Sequence, residues 1–148
     1  MASAAIRLPF EKVEQARQLA AHHNVTISAL ISRMITDEIK SLGLEDRIGI
    51  NRIRVKTFPN GTFEFDCGIG LLIWTSEQAL DVAHSIERSA DGVNDRFNVD
   101  SGLSVSRVGL GIRLFNMNTG EERMLAPMIA KELAEMLRRV VAAAAAKN

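Results

Sequence analysis

Ala4-Ala5-Ile6-Arg7-Leu8-Pro9, a helical pattern from Phe10 to His23, and then Asn24-Val25-Thr26-Ile27-Ser28-Ala29-Leu30-Ile31 decide how this chain is read. In an extended segment Ala4, Ile6 and Leu8 share one face and Ser3, Ala5 and Arg7 the other, because side chains alternate with period two. Pro9 ends such a strand and suits the entry to a helix. Val13, Ala16, Leu19 and Ala20 then recur at helical spacing. Asn24 falls where a helix closes in the left-handed conformation. Thr26 reads as the cap of a second helix, with Ile27, Leu30, Ile31, Met34, Ile35 and Ile39 as its apolar stripe. Lys40 suits its last turn, and Gly43 follows its end. A strand so short needs a partner, and the expected one is the same strand of a second copy. About forty residues are also too few to bury a core alone, so dimerisation is expected.

The order Ile6-Arg7-Leu8-Pro9, an amphipathic helix, then Asn24, Val25, Thr26, Ser28, Leu30 and Ile31 at their spacing resembles the ribbon-helix-helix DNA-binding module of MetJ/Arc type. The resemblance covers residues 3–43 and implies an intertwined dimer whose antiparallel ribbon enters the major groove of double-stranded DNA. It also implies that Ser3, Ala5 and Arg7 read bases, and that the backbone around Thr26, Ile27 and Ser28 holds a phosphate. Ile6, Leu8, Leu30, Ile31 and Met34 would form the dimer core. The chemistry suits these roles. Arg makes a bidentate contact with a guanine edge, and a helix start binds anions. Ala5 departs from the pattern, because it offers no hydrogen-bonding group and reaches at most a thymine methyl. Direct readout then rests on Ser3 and Arg7, and further contacts or neighbouring dimers are needed for specificity.

Composition sets the outer bounds. The chain has 148 residues, 47% of them apolar, which suits a folded protein of one or two small domains. No apolar run is long enough to cross a bilayer, and the opening residues lack the pattern of a secretory signal. Cys67 is the single cysteine, so no internal disulfide forms and a cytoplasmic location is expected. Eighteen basic residues balance eighteen acidic ones. This argues against binding nucleic acid through bulk charge, though not against a dimer that gathers a few basic groups on one surface.

Residues 45–148 read as a second, α+β domain after the amino-terminal module of residues 1–44. Alternation in Ile53–Phe58 and Thr62–Asp66 around Pro59-Asn60-Gly61 predicts a β-hairpin. The run through Gly68, Gly70 and Trp74 is taken as a continuation of its second strand. Thr75-Ser76-Glu77-Gln78 is a capping-box signature for a helix. Residues 91–102 read as a loop, Leu103–Phe115 as one strand, and Glu121–Leu125 as a shorter one. Pro127 opens the last helix. The whole is expected to be a ββα-ββα arrangement, with one four-stranded sheet and two helices on one face. This part resembles no family.

Other clusters carry less. Arg52, Arg54 and Lys56 share one strand face in this reading. They are taken first as a solvated sheet surface, and alternatively as extra contacts to DNA backbone. His22 and His23 end a helix, where cations are favourable. His84 and Cys67 are too few for the histidine-and-cysteine site of the nickel-responsive relatives of the module, so no metal or other cofactor is expected. No nucleophile–base pair or phosphate-binding glycine loop is present, and catalysis is not expected. The leading expectation is a dimeric, sequence-specific transcriptional regulator, a repressor of bacterial, plasmid or phage type. Its second domain would add oligomer contacts, sense a ligand or bind a protein. Two alternatives are an antitoxin holding a toxin through residues beyond 45, and a dimeric interaction module without a DNA role.

Overall fold

The computed structural model describes residues 5–44, 49–93, 97–98 and 100–147. The chain divides into two compact units, with the break after residue 48.

The first unit holds two helices, α1 (Phe10–His22) and α2 (Ile27–Ser41). Asn24, at φ 56°, ends α1 in the left-handed region. This turns the Val25 N–H back to the Ala20 carbonyl at 3.0 Å and the Asn24 N–H to Ala21 at 3.2 Å, so carbonyls at the helix end are satisfied. Thr26 caps α2, its hydroxyl accepting the Ala29 N–H at 3.1 Å. Gly43, at φ 64°, closes α2 in the same way, with Leu44 N–H donating to Ile39 at 3.0 Å. Among the described residues no opening strand precedes α1. The first element is α1, and residues 5–9 form no ladder within the chain. A strand exists only through a partner's backbone, and the described residues supply none. Ser3 and Ala4 lie outside the described residues.

The second unit corrects the expected single four-stranded sheet. It contains two separate antiparallel sheets. The first has three strands in order β1 (Arg54–Thr57), β2 (Phe63–Asp66) and β3 (Leu71–Trp74). The second has four: β4 (Phe97–Asn98), β5 (Leu103–Val108), β6 (Gly111–Asn116) and β7 (Glu122–Leu125). Helix α3 (Ser76–Ala90) follows β3, and α4 (Pro127–Ala146) follows β7. The expected ββα-ββα order is therefore βββα-ββββα. Of the three extra strands, β4 falls in residues 91–102, read as a loop, and the other two come from runs read as continuous. Gly68 and Gly70 stand at φ 86° and 104°, and they reverse the chain so that Leu71 pairs back with Asp66. Gly109, at φ 61°, opens the two-residue turn Gly109-Leu110 between Val108 and Gly111. Glycine at the first turn position gives the twist that a tight hairpin requires.

The elements read from caps and turns stand where expected. Asn60 accepts the Thr62 N–H at 3.1 Å inside the first hairpin turn. Thr75 and Gln78 form the reciprocal capping box of α3, and Pro127 opens α4. Helices α3 and α4 pack on each other, and each also reaches strands of both sheets. Phe63, Phe65, Leu72 and Trp74 of the first sheet and Leu103, Val105, Ile112, Leu114 and Leu125 of the second are buried. They share one core with Val82 and Ile86 of α3 and Leu133 and Leu137 of α4. Phe65 and Trp74 stack with ring centres 4.5 Å apart.

Candidate nucleic-acid interface

Helix α2 positions the expected phosphate site. Its first N–H groups, those of Ile27 and Ser28, have no acceptor within the helix, as at any helix start. The next, of Ala29, is taken by Thr26. No acidic residue stands in the first turn, whereas α1 carries Glu11 there. The partial positive charge of the α2 start is thus left without a local anion. Thr26 and Ser28 are exposed and Ile27 is half-buried. Ala5 and Arg7 are exposed in the segment ahead of α1. Ser3, the other expected base reader, lies outside the described residues.

The expected dimer core divides into two groups. Leu30 is buried. Ile6 is 84% exposed and Met34 55% exposed, and Leu8 and Ile31 are also exposed. Ala20 and Leu30 are the only described residues of this unit that are fully buried. Beside them Ile31, Met34, Ile35, Glu38, Ile39, Leu42 and Leu44 line an open groove of about 460 Å³. Ile35 and Leu42 belong to this uncovered face and were absent from the expected core. The helical period that picked out Ile31 also carries both of them.

The expected basic stripe is not continuous. Arg52, at φ 60°, sits in the turn ahead of β1 and not on the strand. Arg54 and Lys56 do share the outer face of β1, but they stand directly across the ladder from Asp66 and Glu64. Opposite charges at facing positions of a ladder compensate each other, and this leaves little net potential for a phosphate backbone. Lys56 also lies over the Phe58 ring, 5.4 Å from its centre.

Two side chains that the sequence did not single out tie the second unit together. Asn116, fully buried, donates to the Ile69 carbonyl at 3.0 Å and accepts from the Asn118 N–H at 2.9 Å. Arg123 donates to the carbonyls of Cys67 at 3.0 Å and Asn51 at 2.9 Å. Neither has a sequence signature, since their partners are backbone atoms about 50 to 70 residues away in the chain. Cys67 is buried, and desolvation, only partly offset by Arg123, pushes its thiol up from 9.0 to about 11. A thiol held neutral in this way is a poor nucleophile. Among the described residues no three His, Cys, Asp or Glu gather where they could hold a metal ion. Among the same residues no helix is long and apolar enough to cross a membrane.

No family model, curated protein or solved structure matches this chain.

Proposed function

We propose that this chain is a dimeric, sequence-specific DNA-binding transcriptional regulator, acting as a repressor. In the dimer, residues 3–8 of two copies pair as a ribbon that enters the major groove. The observation that carries this reading is the uncovered apolar surface of the first unit. Ile6, Leu8, Ile31, Met34, Ile35 and Leu42 are exposed on a unit with almost no buried core of its own. Full burial of each such side chain is worth about 1.5–3 kcal/mol, so a second copy laid on this face supplies the core that one copy lacks. Pairing residues 3–8 across the same two-fold would give residues 5–8 a ladder that the described residues do not supply. It also sets Ser3, Ala5 and Arg7 opposite the apolar Ile6 and Leu8. Arg7 then contacts a guanine edge, and the start of α2 holds a phosphate.

The folded second unit, with its own core, favours a regulator over an antitoxin that wraps a toxin with a tail disordered when free. The balanced charge of the chain and the sparse ribbon face, where Ala5 offers no polar group, favour a dimeric interaction module with no DNA role. The test is to retain duplexes from a randomised pool on the purified protein at low salt and sequence them. An enriched palindrome or tandem repeat is expected. No retention at low salt overturns the DNA-binding reading and leaves the interaction module.

A further inference from the structure

Among the described residues, β3 pairs on one side only, with β2. Its four residues, Leu71-Leu72-Ile73-Trp74, carry no charge and no proline. Leu71 is 53% exposed and Ile73 61% exposed, while Leu72 and Trp74 point into the core. Edge strands are commonly blunted by lysine, proline or a bulge, and this edge has none of these devices.

We propose that the free edge of β3 pairs antiparallel with β3 of a second copy, joining two three-stranded sheets into one of six strands. The register follows from the pleat. Facing residues of an antiparallel pair point to the same side, so a two-fold axis must pass through a residue and not between residues. An axis at Leu72 sets Leu71 of each copy against Ile73 of the other. The four exposed apolar side chains then cover one another, and both Leu72 side chains stay on the inner face.

The outer face leaves only an apolar row at this edge, and in the two-fold register that row is its own complement. The charges run in rows: Arg54 and Lys56 on β1, Asp66 and Glu64 facing them on β2, then Leu71 and Ile73 facing those on β3. Every charge of this face is opposite its complement within one copy, so only the apolar row reaches the seam. Across the seam the two acidic rows lie three strand spacings apart, about 14 Å, which exceeds a Debye length at physiological salt. The joined face is apolar at the centre and charged at the rim, as stable interfaces are.

This seam lies in the second unit, so it stands or falls separately from the amino-terminal dimer. The experiment compares masses of the full-length protein by sedimentation in four forms: wild type, Leu71→Lys with Ile73→Lys, Met34→Asp with Ile35→Asp, and all four changes together. A tetrameric or larger wild type is expected, with the mass halved or reduced further by either pair and a monomer from all four changes. A wild-type dimer that becomes monomeric with the β3 pair alone also supports the seam, and it discards the amino-terminal dimer instead. Masses unaffected by the β3 pair in both backgrounds overturn the proposal. Trp74 fluorescence reports whether the β3 variants keep their core. If they lose it, Leu71→Cys with Ile73→Cys takes their place: mild oxidation should give covalent dimers, and monomers alone overturn the seam.

Discussion

Arg7 is the one strongly hydrogen-bonding side chain on the described part of the expected reading face, since Ala5 has no polar group. Substituting Arg7→Ala should therefore weaken binding to a selected operator by about 1–3 kcal/mol per base contact. Fluorescence anisotropy would read this as roughly a tenfold or greater rise in Kd, with the fold and the dimer unchanged. An unchanged Kd would remove Arg7 from the readout. Cys67 makes a different prediction, about pH. Burial raises its thiol from 9.0 to about 11 in the folded chain, so between those values the folded state holds a proton that the unfolded state releases. Stability is then fully present below pH 9 and falls as pH rises towards 11, by roughly 2–3 kcal/mol for this group. Chemical denaturation of wild type and Cys67→Ala across pH 8 to 11 should show the wild type losing stability more steeply. Iodoacetamide should leave native Cys67 unmodified at pH 8 and alkylate it in denaturant.

Individual elements depend on joints that a local reading detects unevenly. The turn Cys67-Gly68-Ile69-Gly70 is locked from the far side of the core by Asn116 and Thr119, which both donate to the Ile69 carbonyl. A Cβ on Gly70 would lie 2.7 Å from Thr119 Cγ2 and 2.9 Å from Asn116 Nδ2, so the glycine is required by both its φ and its neighbours. Asn116→Ala removes one donor from Ile69 and the acceptor for the Asn118 N–H, and it leaves a void in a packed interior. A loss of about 1–3 kcal/mol is expected in urea denaturation, with the m-value unchanged. A near-neutral result would mean that Thr119 alone holds the turn. The four helix starts and the first hairpin were legible because caps and turns are local, set by two or three neighbouring residues such as Thr75 with Gln78 or Asn60 with Gly61. The strand reversals at Gly68–Gly70 and at Gly109 were not. A glycine inside an apolar run permits a bend, a bulge or a full reversal, and only the partner strand selects among them.

At the scale of the molecule, the two units differ in what they can do alone. The second has a core fed by both sheets and both helices, whereas the first has two buried residues among those described and an open apolar groove. Thermal melting of the helical signal should therefore contain a component whose midpoint falls with dilution, on the order of 5 °C per tenfold. A first unit that melts independently of concentration would be stable as a monomer, against the dimer proposed here. Trp74, the single tryptophan, reports the second unit separately in the same experiment.

The sequence by itself determined what depends on near neighbours and on period. It specified four helices, the caps of α2 and α3, the first hairpin and the apolar face of α2. These follow from side chains a few positions apart, whose interactions exist before the chain folds. Only the tertiary structure decided that there are two sheets and not one, that Arg54 and Lys56 face acidic partners, and that β3 ends in an unguarded edge. It also decided that Asn116 and Arg123 hold carbonyls far away in the chain. Strand order, cross-strand pairing and the place of a buried polar group each require contact between distant segments. No local pattern encodes which segment will arrive.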